Sequence, residues 1–464
     1  MKKFILFVAF AAATFTSYSQ ALGYEDLAIL FSRDDQNGSA RFMAMGGAFG
    51  ALGGDVTSLA INPAGVSIFN GSHVSAAFQS RTSEFLADYY GTSTRTEQEY
   101  LDLTSAGAVF TFVDSYSEDW SKFAIGVNYR VLTDFDNTFV AQGNSGTATF
   151  QDFPFDTNAT PIVYGIGENQ RFVNTYRGEL SELNLTFGGT FQDKLHVGAG
   201  LNFYDLNFAQ FATLLETNSD GNGNTLNADF FQDNFTTGAG FSLSAGFIYK
   251  ANKSLRLGLS YQSPTWMTEI IEDTNITDND GFLGETIITV SEDPQNGYQN
   301  FTGFSAPRQA TNYDLRQPSK LTASAAIIFG KSGLISFDYI TRNFQGLNLN
   351  STFDDFSPEN QFFDNNLRRT NSFNVGTEWR FSRLSLRGGY SYQESPDANA
   401  LDSDNLERYS AGLGYNFGKV KFNIAYSTTT QTGLYNFYSQ FPSVQAAGLN
   451  IDNTLVTVGI SVSL

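Results

Sequence analysis

At 464 residues the chain is long enough for two or three soluble domains, yet charged residues make up only 16% and aromatics reach 15%, with 43 glycines and 45 phenylalanines. That balance excludes a disordered chain, which needs high charge and few aromatics, and a net charge of −20 argues against nucleic acid, whose phosphates it repels. No cysteine is present, so disulfides, a thiol nucleophile and a cysteine-linked lipid anchor are excluded.

Residues 1–19 read as a secretory signal: Lys2 and Lys3 give the positive start, Phe4 to Phe15 is a short apolar core, and Ser17 and Ser19 are small residues at a cleavage site before Gln20. After it no run of about 18 apolar residues appears, so a helical membrane span is not expected. Residues 20–70 form a separate unit. Tyr24 to Phe31 predicts a short helix with Leu27, Leu30 and Phe31 on one side. Gly38 to Gly65 is rich in Gly and Ala and poor in charge, and ends in Asn62-Pro63-Ala64-Gly65. Within it Asp55 is a plausible N-cap for a helical turn reaching Ala60. Such a compact, small-sided segment suits the inside of something larger.

From Gly71 to Leu464 the chain repeats one theme, about ten residues of apolar–polar alternation followed by a break. Fourteen such rows occur: Val74 to Phe78, Ala106 to Phe112, Phe123 to Tyr129, Leu183 to Phe191, Leu195 to Phe203, Phe241 to Tyr249, Leu255 to Tyr261, Leu321 to Phe329, Ile335 to Tyr339, Phe373 to Trp379, Leu384 to Tyr390, Tyr409 to Phe417, Val420 to Tyr426 and Val456 to Leu464. Strand side chains point alternately to opposite faces, so each row has one apolar and one polar face. Lys122, Arg130, Glu182, Arg256, Asp338, Glu378, Arg380, Arg387, Arg408 and Lys421 all fall on the polar parity. A soluble sandwich has a wet outer face and no need of that segregation. A lipid-facing wall does, because a charge at mid-depth costs about 2–4 kcal/mol. The fold class is therefore an all-β membrane protein, a 14-stranded antiparallel transmembrane β-barrel, with residues 20–70 as a plug, or hatch, in the lumen. Short turns such as 192–194, 250–253 and 418–419 belong to the periplasm with both termini. Long connections, including 81–102, 206–234, 263–318 and 429–452, belong outside.

Chemistry concentrates in the loops and lumen. In the loop after the fifth strand, Phe208, Phe211, Leu214 and Leu215 have the spacing of one helix face; Trp266, Met267, Ile270 and Ile271, then Phe282, Leu283, Ile287 and Ile288, follow after the seventh. They form either a capture groove for an apolar substrate or packing of the loops onto the rim. Leu434, Tyr435, Phe437, Tyr438 and Phe441 read as a rim cap. Arg130, Arg256 and Arg387 are candidates for holding a substrate carboxylate, with pairing to Asp338, Glu182 or Glu378 as the alternative. Asp220-Gly-Asn222-Gly-Asn224 and Asp278 to Gly281 alternate oxygens as calcium loops do but lack the closing Glu, and read as acidic turns. His73 and His196 share the lumen parity. No catalytic residue, metal or cofactor is expected.

Four features resemble the FadL/TodX-type outer-membrane transporters of fatty acids and aromatic hydrocarbons. They are Gly46 to Ala48 with Gly54-Asp55 and Asn62-Pro63-Ala64, the fourteen rows, the third row with its exit Thr133 to Asn137, and the long loops after strands five and seven. The resemblance implies a hatch and a third strand kinked inward to open a lateral exit into the membrane. Asn62, Pro63 and Ala64 would then lie near that kink, around Tyr129 and Arg130. It further implies passive uptake of a hydrophobic small molecule by a monomer set in outer-membrane lipid and lipopolysaccharide. A role beside a surface protein-secretion system, or as a receptor for hemin or another hydrophobic ligand, is the alternative.

Overall fold

The computed structural model describes residues 22–464 except 114–118, 149, 155–162, 280–285, 291–298, 302–308 and 439–442. The expected signal segment, Phe282, Leu283 and Phe441 lie outside the described residues, as do the side chains of Asp278, Ile287 and Ile288.

Alternation gives strands, and the strands give a wall. It comprises β1 (His73–Tyr89), β2 (Thr92–Val113), β3 (Trp120–Asp134), β4 (Ile166–Phe191), β5 (Leu195–Ser219), β6 (Thr225–Lys250), β7 (Leu255–Gln262), β8 (Lys320–Phe329), β9 (Gly333–Asn343), β10 (Arg369–Phe381), β11 (Leu384–Gln393), β12 (Leu406–Asn416), β13 (Val420–Tyr435) and β14 (Ala447–Ser463). Each is antiparallel to the next, and β14 pairs back onto β1 from His73↔Ser463 to Asp88↔Gly448, so the 14-strand barrel closes. Closure leaves no sheet edge to be satisfied in lipid.

The outer face is apolar: Phe187, Leu201, Phe241, Leu257, Val375, Leu413 and Ile460 are exposed. The alternate residues, Asn184, Asn202, Ser242, Asn374 and Asn423 among them, are buried in the lumen. Trp120 against Phe123 and Trp379 against Phe329 mark one aromatic level near the short turns; Phe241 against Trp266 marks the other.

The long connections differ from expectation. β1 and β2 continue as a ladder to Tyr89↔Thr92, closed by Tyr90 and Gly91 at φ 43° and 81°, so 81–102 is hairpin rather than loop. β5 and β6 likewise stay paired to Ser219↔Thr225. Segments Trp266–Asn279 and Gln309–Arg316 extend the wall above β7 and β8. The cause is solvent. Above the lipid the outward positions turn polar, as at Asp205 and Asn207, while the backbone ladder runs on. Helix α3 (Ser357–Asn366) covers the lumen from this end, its Phe363 fully buried.

The N-terminal segment fills the lumen. It carries α1 (Tyr24–Phe31), α2 (Ala40–Ala44) and two 3-10 turns, Val56–Ala60 and Pro63–Ile68. Asp55 caps as the sequence suggests, its carboxylate accepting from Thr57 N at 3.0 Å, and Asn62 Oδ1 caps the next turn by accepting from Ala64 N at 3.1 Å. Wall glycines admit this segment. A Cβ on Gly198 would strike the Pro63–Ala64 backbone, on Gly376 the Met45 backbone, and on Gly412 the Ala44 side chain. Asp338 on β9 fixes the segment further, its Oδ2 accepting Phe49 N at 2.9 Å and Gly50 N at 2.8 Å.

Candidate functional site

One ladder of the wall, between β2 and β3, stops short. The β2–β3 ladder runs from Val113↔Lys122 only to Ser105↔Arg130. Beyond it β2 continues to Thr92 paired with β1 alone. On its other side β3 stays with β4, with a register shift between Val131 and Thr133. β3 therefore leaves β2 and bends into the lumen. Val131, Leu132, Thr133 and Phe135 are consecutively buried or nearly so, the signature of a strand covered on both faces. Its continuation Asn137–Gly143 lies behind the β1–β2 hairpin. There Arg81 holds Asp134 at 2.8 Å and donates to the Asp136 carbonyl at 2.7 Å, and Phe85 stacks on Phe139.

The N-terminal segment stands directly behind the place where β3 leaves β2. Asp35 N donates to the Leu132 carbonyl at 3.1 Å, Thr133 Oγ1 to the Arg33 carbonyl at 3.2 Å, and Thr104 Oγ1 to the Gly38 carbonyl at 3.1 Å. Arg130 bonds Glu182 at 2.6 Å and reaches Asp34 at 3.5 Å. Tyr129 OH donates to Glu179 at 2.9 Å.

Above this point lies a closely packed aromatic cluster. Phe31 of α1 meets Phe135 and Phe208 edge-on at 5.8 and 5.4 Å, and Phe135 meets Phe208 at 5.2 Å. Met267, Ile270, Leu315, Phe344 and Phe363 belong to the same buried cluster. Its floor is cationic: Lys320 Nζ is 3.4 Å from Asp34, and Arg342 acts on the same carboxylate. A second aromatic cluster sits under β13 and β14, where Phe437 stacks on Phe172 at 4.5 Å beside Tyr435 and Tyr438. Leu434 of the same stretch faces solvent.

Several expected site residues move. Phe208, Phe211, Leu214 and Leu215 lie on strand β5, not on a helix, so they split between faces: Phe208 and Leu214 are buried inside, while Phe211 and Leu215 face outward, Phe211 against Phe235. Met267 and Ile270 both point inward although three residues apart, because a register shift between them, with Glu269 at φ 58°, resets the alternation. Trp266 and Ile271 are left outside.

Asn62, Pro63 and Ala64 are not at the bend of β3. Asn62 Nδ2 donates to the Phe247 and Gly50 carbonyls, and Pro63–Ala64 pack on Gly198 of β5, the bare backbone that accepts them. Arg33 to Gly38 occupy the place instead. Arg130 is spent on Glu182 and Asp34; Arg387 bonds Glu378 at 2.7 Å and Asn423 at 2.9 Å; Arg256 donates to the Leu52 carbonyl at 3.1 Å. Arg256 and Arg387 share an inner cavity that Arg130 does not line. Asp220 accepts from Asn222 N and Asn224 N and so closes its own turn. His196 Nδ1 lies 2.9 Å from Ser67 Oγ. Lys320 and Arg342 escape sequence reasoning, because Asp34 lies far away in the chain, 286 residues from Lys320.

A family model described as outer membrane protein transport protein (OMPP1/FadL/TodX) matches residues 174–436. Solved structures similar to this chain include a Pseudomonas aeruginosa FadL homologue, at 12% identity and TM-score 0.60, covering 93% of this chain and 99% of that one. The toluene transporter TodX of Pseudomonas putida is similar at 14% identity and TM-score 0.53, covering 93% and 100%. The monoaromatic hydrocarbon channel CymD is similar at 14% and 0.53, covering 92% and 97%. No curated protein matches the chain.

Proposed function

Because the chain belongs to the OMPP1/FadL/TodX family of outer-membrane transport proteins, we propose that it carries hydrophobic small molecules passively across the outer membrane and releases them sideways between β2 and β3. One observation supports this reading above the rest: an apolar cluster, the place where β3 leaves β2 and the N-terminal segment behind it lie next to one another. The Phe31–Phe135–Phe208 cluster suits an aromatic ring or an acyl chain, each buried methylene contributing about 0.8 kcal/mol. Lys320 and Arg342 on its floor suit a substrate carboxylate. The outer extension with Phe208, Leu214, Met267 and Ile270 is the capture side, and residues 22–70 act as the hatch. A substrate entering the cluster takes the place of Phe31. The carrier works as a monomer, with outer-membrane lipid around the wall and lipopolysaccharide around the outer rim.

Retention of radiolabelled oleate and toluene by purified protein, alongside uptake by cells carrying it, separates capture from release. Phe208→Ala removes a buried ring and is expected to weaken retention at least tenfold. Leu132→Trp narrows the lateral route between β2 and β3 and is expected to keep retention while lowering uptake at least tenfold. If the wild-type protein retains neither ligand, the transport reading fails. Unchanged uptake in Leu132→Trp leaves transport standing and removes the lateral route.

A further inference from the structure

Beneath the N-terminal segment, at the end of the barrel with the short turns, lies a cavity of about 750 Å³. Six cations line it: Arg41, Arg256, Arg380, Arg383, Arg387 and Lys421. Only two carboxylates face them, Asp55 and Glu378, an excess of four positive charges in a chain whose net charge is −20. Both carboxylates are already engaged. Asp55 accepts from Ser39 Oγ and caps the turn that follows it. Glu378 serves three guanidiniums at once, Arg41 at 2.8 Å, Arg380 at 2.5 Å and Arg387 at 2.7 Å. Arg256, Arg383 and Lys421 have no carboxylate partner among the described residues.

Hydrophobic transport with release through the wall above gives this chamber no task. A lumen that needed only wetting would be served by Ser and Asn, which line much of the remaining inner wall. Uncompensated cations between low-dielectric walls repel one another, an arrangement that costs stability unless an anion enters. Guanidinium forks suit carboxylate and phosphate oxygens, and Glu378 shows that the site accepts an oxyanion among three of them. Leu52 to Val56 and Ile68 to Phe69 of the N-terminal segment line the cavity as well, so it is bounded by more than wall residues. A volume of this size is that of a small-molecule site.

We propose that this inner vestibule binds a small multivalent oxyanion, a polycarboxylate or a pyrophosphate-type phosphate ester, from the periplasmic side. Arg383 and Lys421 supply the free charge, and Arg387 and Arg256 form the fixed floor. The site is separate from the aromatic cluster and does not depend on the transport reading.

Isothermal titration of the full-length protein in a neutral detergent tests it, with citrate and pyrophosphate as probes and sodium chloride matched for ionic strength. One saturable site is expected for at least one probe. The tighter of the two identifies carboxylate or phosphate as the chemistry. The double substitution R383Q/K421Q is expected to weaken binding at least tenfold, while R95Q, on the outer hairpin, leaves it unchanged. A ligand-free thermal midpoint of R383Q/K421Q at or above that of wild type shows that the variant folds. Should the heat track ionic strength alone, or persist undiminished in R383Q/K421Q, the site does not exist. Binding of a poly-glutamate peptide with no binding of either small anion also overturns the proposal, since the vestibule would then be a protein-docking surface.

Discussion

Arg130 shows how far a single residue can be read. Its parity places it in the lumen, and the structure buries it there at 1% exposure, between Glu182 and Asp34. Removing one member of a buried pair leaves the other charge uncompensated, at a cost of about 3–5 kcal/mol. Arg130→Ala is therefore expected to lower the guanidinium unfolding midpoint clearly. Arg130→Lys should recover only part of the loss, because a point charge cannot fork to two carboxylates. R130Q/E182Q, which removes both charges of the pair together, should be milder than Arg130→Ala. Full stability in Arg130→Ala together with lost ligand retention would instead return Arg130 to the role of a substrate-binding group. The pairing with Glu182 was legible, since both residues share one parity on neighbouring strands. The contact with Asp34 was not: it joins an irregular segment to a strand 96 residues away, and no periodicity records such a meeting.

At the scale of elements, the lipid makes strands legible and the absence of lipid hides them. Every membrane-level strand announces itself by an apolar outward row. Above Phe203 on β5 that row gives way to Asp205 and Asn207, and without it Phe208 to Leu215 resemble a helix face. The extension has its own electrostatics. Glu272, outside the membrane-spanning band on Trp266–Asn279, is buried between Asn234 Nδ2 at 3.0 Å and Tyr313 OH at 3.2 Å. Burial raises its carboxyl to about 7, against the opposing pull of those two hydrogen bonds. Tyr313 and Tyr24 are its titratable neighbours. A carboxyl whose folded value lies above its unfolded one favours the fold when protonated. Its contribution is full below the unfolded value near 4.5 and is lost as pH rises through about 7. Amide exchange over residues 266–275, corrected for intrinsic rates, is thus expected to be slower at pH 5 than at pH 8. Glu272→Gln should abolish the difference, and the same slope in both proteins would disprove the assignment.

The whole molecule is a closed wall around a separate filling, and the hydrogen bonds show how independent the two are. All fourteen ladders join wall strand to wall strand, and no described residue before His73 contributes a strand. Apart from the backbone bond of Asp35 N to the Leu132 carbonyl, the filling is held through side chains: Asp338 under Phe49 and Gly50, Glu378 on Arg41, and Arg408 Nη2 donating to the Asp35 carbonyl at 2.7 Å. Deleting Gly38 to Ala60 therefore removes no ladder bond. It takes Arg41 from Glu378, which keeps Arg380 and Arg387, and it strands Asp338, but in a lumen that water then fills, where a carboxylate is solvated and costs little. The barrel is expected to survive, with heat-modifiable mobility on gels and strand-rich circular dichroism, while conductance in planar bilayers rises from a closed level to a pore. The glycines lining the wall point the same way. Gly376 is demanded by Met45 inside rather than by any strand conformation, so without residues 38–60 it becomes tolerant, and Gly376→Ala should be harmful in the full chain and neutral in the deletion. If the deleted chain forms no barrel at all, the segment is a folding nucleus for the wall, and residues 38–60 cannot be described as a hatch.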